Sequence, residues 1–292
     1  MNIQRLKPFE YYYPSTIKEA LSVLGEYDGK GVLLAGGTDL VLMMKLRNIT
    51  PKALVSLKKI EGMNYIRKDG DVLRIGPLTT ITAIQESDLI REEFHALYET
   101  TRGFATPQIR NMATIGGNIC RSSPCANMPP PLMTLDAEVK LVGQKGERLV
   151  KLEDFFTGAG ENSLDNEVLA EIVVPLPKDS CGTAFKELTR TTSDISKVTC
   201  AASVSICDGK CDDIKIVLGS VADRIVRAKK AEAVMIGQNI DDRVIEEAAE
   251  SVVHDISPIT DVRSEAEYRR EVSKVLVKRT IKHAVARAMP GS

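Results

Sequence analysis

Two short stretches concentrate residues suited to holding an anion: LLAGGTDL at 33–40 and ATIGGN at 113–118, each a glycine pair flanked by threonine and by a carboxylate or amide side chain. Glycine reaches backbone angles closed to other residues and lets a ligand approach the chain, so Gly36–Gly37 can direct N–H groups at an anion. A helix starting directly after that turn adds positive potential for a phosphate. Gly116–Gly117, with Thr114 and Asn118 beside it, offers a second loop of the same kind, and two loops suit a diphosphate better than a monophosphate. The plainer alternative, that both pairs merely turn the chain after apolar strands, stays open on the residues alone. Neither stretch is a G-x-G-x-x-G dinucleotide fingerprint or a G-x-x-x-x-G-K-[ST] phosphate loop.

The elements that must position these loops alternate at first between helix and strand. Thr16 with Glu19 fits a capping box opening a helix through KEALSVLGEY, and GVLLAGG reads as a buried strand ending in a glycine turn. Thr38 or Asp39 is expected to cap the next helix, LVLMMKLRN, before Pro51 and a strand at ALVSL. From about 60 to 176 the pattern changes to shorter strands, with tight turns predicted at KDGD and GQKG and helices at TTITAIQES and REEFHALYETTRGF. The three prolines of MPPPLM exclude a central strand and predict a rigid lead-in to a helix ending near Asp136.

VPLPKDSCG at 174–182 is the strongest boundary, followed by TAFKELTR, a hairpin turning at Asp208–Gly209–Lys210, and helices in VRAKKAEAVMIG, DDRVIEEAAESVVHDI and the final SEAEYRREVSK segment. The expected class is α+β in three lobes: a small α/β lobe over about 1–58, a mixed lobe over about 59–176, and a C-terminal antiparallel sheet and helix lobe over 177–292.

Composition excludes several classes of function. The 292 residues carry 39 basic and 40 acidic side chains, a net charge of −1 that gives no general attraction to nucleic acid or an anionic bilayer. No stretch approaches the roughly 18–20 apolar residues of a transmembrane span, and the first residues lack a signal-peptide pattern, so a soluble cytoplasmic protein is expected. Six cysteines are too sparse for a disulfide scaffold, and no compact Cys/His array predicts a metal site. The three histidines suggest no catalytic triad, and no catalytic residue is assigned. Arg102 just ahead of TPQIR and Arg110 at its end face either an anion or structural partners. Phe9 to Tyr13 is expected to pack internally, with a subunit surface as the alternative.

The motifs FEYYYPSTIKEAL, LLAGGTDL, IGPLTT, TPQIRNMATIGGNIC, IVVPLP and FKELTRTTSDIS occur in this order across nearly the whole chain. Together they resemble the FAD-binding medium subunit of the molybdenum hydroxylases, the family containing bacterial xanthine dehydrogenase and aerobic carbon monoxide dehydrogenase. The resemblance implies a PCMH-type, vanillyl-alcohol-oxidase-like FAD fold over 1–176 and a carbon monoxide dehydrogenase flavoprotein-like domain over 177–292. It implies that Leu33, Leu34, Ala35, Gly36, Gly37, Thr38 and Asp39 wrap one side of the FAD diphosphate, and that Thr114, Gly116, Gly117 and Asn118 approach from the other. Ile109 then falls near the flavin, Leu169 at an apolar contact, and Lys186 and Asp194 near the cofactor or its approach. Where the family commonly has an Asp for the ribose, nine residues after the Asn of GGN, this chain has Asn127, which keeps an acceptor but loses the charge. The register leaves Asn127 either a ribose contact or a cap for the proline-rich helix.

By the same resemblance, substrate oxidation belongs to a separate large molybdenum-cofactor subunit, and a small [2Fe–2S] subunit relays electrons to this FAD for delivery to NAD, a quinone or another acceptor. Two alternatives remain at this stage: an autonomous FAD oxidoreductase, and a flavin-free structural or assembly subunit retaining the scaffold.

Overall fold

The computed structural model describes residues 5–178 and 180–289. The first lobe is a parallel three-stranded sheet of β1 (Glu10–Tyr12), β2 (Gly31–Leu34) and β3 (Ala53–Ser56) in the order β1-β3-β2, with helices α1 (Ile17–Glu26) and α2 (Leu40–Lys45) in the connections that parallel pairing requires. Thr16 caps α1 by accepting the Glu19 N–H, and the Glu19 carboxylate returns to the Ser15 N–H. Ala20, Leu21 and Leu24 of α1 pack with Val55, Leu57 and Met63 in one buried cluster. Helix α2 departs from expectation, for Asp39 precedes it without making a side-chain cap. The aromatic N-terminal stretch is only partly internal: Phe9 and Tyr12 are half-buried, with the Tyr12 and Tyr27 hydroxyls 2.6 Å apart, whereas Tyr11 and Tyr13 are exposed and Tyr13 lies under the Lys59 ammonium.

The middle lobe is built on a five-stranded antiparallel sheet. Strands β4 (Ile66–Asp69) and β5 (Val72–Ile75) form the predicted hairpin, with Gly70 at φ +57°. Helices α3 (Ile81–Glu86), α4 (Asp88–Glu93), α5 (His95–Gly103), α6 (Pro107–Arg110), α7 (Ile115–Cys120) and α8 (Pro129–Thr134) come next. Then follow β6 (Glu138–Gly143), β7 (Gly146–Lys151), the short α9 (Leu152–Phe155), a small ribbon of β8 (Phe156–Gly158) and β9 (Glu161–Asn162), and the long β10 (Val168–Pro175). The order β4-β5-β10-β6-β7 puts β10 in the centre, and a bulge between Leu169 and Glu171 breaks its register with β6. Ile81, Ile84, Phe94 and Leu97 bury against Leu73 and Ile75 to make the core. All six residues of α8 are buried, with prolines filling the first turn, where a helix does not need the missing N–H groups.

The third lobe is the antiparallel sheet β11 (Cys181–Leu188), β12 (Val198–Cys207), β13 (Lys210–Gly219) and β14 (Val226–Arg227), with α10 (Lys229–Met235), α11 (Asp242–Ser251) and α12 (Ala266–Ala288). Val226–Arg227 belongs to the sheet and not to the helix expected there. Gly182 lets α12 lie directly on β11, since a Cβ would overlap the Ala284 carbonyl. The other side of this sheet meets the middle lobe: Ser203 Oγ donates to the Thr134 carbonyl at 2.8 Å, and the Phe185 N–H donates to Glu99 at 2.8 Å.

Candidate functional site

At the end of β2 the chain turns through Ala35 to Asp39 into α2. Gly37 holds this turn at φ +79°, a region that costs an ordinary L-residue roughly 1–2 kcal/mol. The carbonyls of Gly37 and Asp39 accept from Val41 and Met43. The N–H groups of Gly36, Gly37, Thr38 and Asp39 meet no acceptor among the described residues. Four backbone donors in succession, partly open to a cleft, are suited to an anionic group.

The second glycine pair does something else. Residues 115–120 form α7, with Thr114 as its cap, and not a loop. Its first N–H groups are all taken: Ile115 donates to the Thr79 carbonyl at 3.0 Å, Gly116 to Pro77 at 3.0 Å, Gly117 to Thr114 Oγ1 at 3.1 Å and Asn118 to the Thr114 carbonyl at 2.9 Å. The expected second cradle of backbone donors is therefore absent, and α7 serves as a wall. Gly116 is glycine because Pro77 stands 2.6 Å from where its Cβ would lie. Gly36 is glycine for a similar reason, since a Cβ there would overlap the Met112 carbonyl of the segment leading into α7. The two motifs thus touch, and Ala35 Cβ lies 3.8 Å from the corresponding point on Gly117.

Between them opens a cleft of about 740 Å³, within the usual range for small-molecule and cofactor sites. It brings together most of the residues singled out from sequence. Leu33, Ala35, Gly36, Gly37, Thr38 and Asp39 line one part. Thr114, Gly116, Gly117 and Asn118 line the facing wall, and Ile109, Asn127, Leu169 and Asp194 extend it. Leu169 reaches the cleft beside the β10 bulge, the kind of local break that re-aims a side chain.

Leu34 and Lys186 are not among the lining residues. Leu34 is buried, with its side chain under Gly37. Lys186 lies close enough to His283 of α12 to hold that imidazole down, after the larger effects of burial and Arg287. Alternate strand residues face opposite sides, and the next residue, Glu187, touches the cleft wall from behind: its Oε2 accepts from Nδ2 of the lining residue Asn127 at 3.1 Å and from Ser196 Oγ at 2.6 Å. Asn127 consequently does not cap the proline-rich helix, whose cap position is Met128. The Met128 N–H is satisfied by Asn118 Oδ1 at 3.2 Å. Arg110 donates to the Phe104 and Ala105 carbonyls, so of its two open roles it takes the structural one.

Sequence reading passed over Phe104, Arg121 and Ile195. Phe104 is the one aromatic ring, and Arg121 the one cation, among the described lining residues. Phe104 lies just ahead of the TPQIR motif, where an aromatic side chain was a usable signal. The remaining lining charges are Asp39 and Asp194, and Asp194 is paired with Arg190 at 3.3 Å. Burial pushes the Cys120 thiol up to about 12, which leaves it a poor nucleophile. No group of three His, Cys, Asp or Glu side chains among the described residues converges to hold a metal.

A domain model described as the FAD binding domain in molybdopterin dehydrogenase matches residues 7–177, and the CO dehydrogenase flavoprotein C-terminal domain matches residues 183–284. The chain belongs to the FAD-binding medium subunits of the molybdenum hydroxylases. This medium subunit is 33% identical to the carbon monoxide dehydrogenase medium chain of Afipia carboxidovorans over 96% of its own length and 98% of that protein's. It is 32% identical to the glyceraldehyde dehydrogenase medium chain of Sulfolobus acidocaldarius, with 94% and 97% covered. Among solved structures, a carbon monoxide dehydrogenase from Hydrogenophaga pseudoflava, lacking the Mo-pyranopterin moiety of its molybdenum cofactor, superposes with a TM-score of 0.95 at 33% identity, covering 97% of this chain and 99% of that one. The mixed α+β, PCMH-type architecture with its C-terminal antiparallel sheet is the fold of the family. No helix among the described residues is long and apolar enough to cross a membrane.

Proposed function

We propose that the cleft between the Ala35–Asp39 turn and α7 holds FAD, with its diphosphate at the N–H groups of Gly36 to Asp39. The observation that carries this reading is the run of backbone donors without an acceptor among the described residues, brought against the segment leading into α7 by the missing Cβ of Gly36. The fit is chemical as well as steric: the open donors suit an anion, Phe104 contributes an aromatic ring to the wall, and Ile109, Leu169 and Ile195 add apolar surface suited to a flavin. In this assignment Leu33, Ala35, Thr38 and Asp39 frame the diphosphate, Thr114, Gly116, Gly117 and Asn118 form the opposite wall, and Asn127 and Asp194 approach the remaining polar parts. Leu34 supports the turn from beneath, and Lys186 plays no direct part. Bound FAD supplies one- and two-electron chemistry, while the chain positions and shields it.

The medium subunit would work inside a larger assembly. A large molybdenum-cofactor subunit would oxidise the organic substrate, a small [2Fe–2S] subunit would be the electron source, and NAD, a quinone or another acceptor the destination. The relatives named as medium chains support an assembly of this kind. The compartment proposed is the cytoplasm. A division into an FAD-binding domain over 1–176 and a C-terminal domain over 177–292 belongs to the same reading.

Purification of the chain from its native cell tests both parts. Oxidised-flavin absorption maxima are expected, with a large molybdenum subunit and an iron–sulfur subunit co-purifying. A colourless, folded protein rejects the flavin site; a flavoprotein isolated alone and active on an organic substrate favours an autonomous oxidoreductase instead.

A further inference from the structure

Asn127 and Glu187 meet where the connection between α7 and α8 touches β11. The Glu187 carboxylate is enclosed by three segments that border the cleft: Asn127 Nδ2 and the buried Ser196 hydroxyl both donate to its Oε2, and Gly103 at the end of α5 leaves no room for a Cβ beside its Oε1. An amide has a donor end and an acceptor end, and a carboxylate oxygen offers only lone pairs to it. Turned the other way, Asn127 would oppose lone pair to lone pair. The NH₂ is therefore committed to Glu187, and the carbonyl oxygen is left for the cleft that Asn127 lines.

We propose that Glu187 is a positioning residue: it fixes the Asn127 amide so that Oδ1 accepts a sugar-type hydroxyl of the bound ligand, a neutral acceptor where the resemblance leads one to expect a carboxylate. This rests on the flavin reading. FAD carries such hydroxyls on its ribose and on its ribityl chain. ADP contains only the first and riboflavin only the second, so they distinguish the two sources.

The same geometry reverses the simple expectation for Asn127→Asp, that restoring a carboxylate preserves or strengthens binding. In N127D two carboxylates face each other at the distance now bridged by an N–H, and like charges so close disfavour the doubly ionised site. A glutamine at 187 removes the conflict, because its NH₂ can donate to the new carboxylate.

The test is titration of the full-length apoprotein with FAD, read by flavin fluorescence, for the parent, N127D, E187Q and the double variant. N127D is expected to bind about tenfold more weakly near pH 8 and to recover most of that loss near pH 5.5, as one carboxyl takes up a proton. E187Q is expected to lose about threefold, since its amide can present either end. The double variant should return to within about threefold of the parent, which a merely structural role for Glu187 does not produce. A parallel loss for ADP, read by its competition with FAD, places the contact on the ribose, and one for riboflavin places it on the ribityl chain; either supports the proposal. Binding by N127D near pH 8 as tight as the parent, or a double variant no better than N127D, overturns it. A parent apoprotein that takes up no FAD at all rejects the flavin reading itself.

Discussion

Gly36–Gly37 and Gly116–Gly117 share a dipeptide, a neighbouring threonine and a border of the same cleft, yet their backbones are used in opposite ways. In the first, Gly37 takes a left-handed φ and the amides of Gly36 to Asp39 stay open. In the second, the pair lies inside a helix and every amide from Ile115 to Asn118 has an acceptor within the protein. One pair offers donors to a ligand, and the other lets secondary structure pack tightly enough to stand behind them. A glycine pair is therefore not a ligand signal until its amides have been followed to their acceptors.

Substitutions can break or sharpen this contrast. The largest effect is expected at Gly36→Val, where even the Cβ overlaps the Met112 backbone: stability should fall by about 3 kcal/mol or more in urea denaturation, with loss of flavin retention. Gly37→Val comes next, at about 2 kcal/mol. Here the reason is the left-handed backbone, because a Cβ would point toward Leu34 and Val41 and not into the phosphate approach. Gly37→Asn, which tolerates that φ, should retain most of the flavin; equal losses for Val and Asn would argue against a conformational cause. Thr114→Ala removes the α7 cap and should cost about 1 kcal/mol, while FAD affinity changes far less than in the Gly37 variants if α7 is only a wall. The smallest effect is expected at Lys229→Ala, which breaks an exposed pair with Glu153 and should stay within about 1 kcal/mol with unchanged flavin content.

Much of the fold was legible because its signals are local. The Thr16 and Glu19 cap, the turns at Gly70 and Asp208–Gly209, and the helix opened by Pro129 each depend on residues a few positions apart. The helix at 115–120 was not legible. Two glycines have among the poorest helix propensities, and what overrides them is tertiary: Ile115 and Ile119 are fully buried in the core, and Pro77 and Thr79 accept the first amides. At the site, the convergence of most motif residues followed from the family pattern, but the choice between Lys186 and Glu187 did not. In a strand, one residue of register exchanges the two faces, and only the contact between Asn127 and Glu187, sixty positions apart, shows which side chain backs the cleft wall. The tyrosines misled because apolar and aromatic residues at a chain end predict burial without naming a surface to bury them against.

The prolines that open α8 have a final consequence. A helix start is ordinarily an awkward thing to enclose, since its leading amides call for water or a cap. Pro129, Pro130 and Pro131 have no such amides to hydrate, so this start can lie dry between the middle lobe and the C-terminal sheet. They also have no exchangeable backbone hydrogen, so deuterium labelling is blind to the first turn of α8 and sees the seam only through its neighbours. Its opening can be followed through the amides of Leu132 to Thr134 and through Ser203 of β12, whose hydroxyl donates to the Thr134 carbonyl.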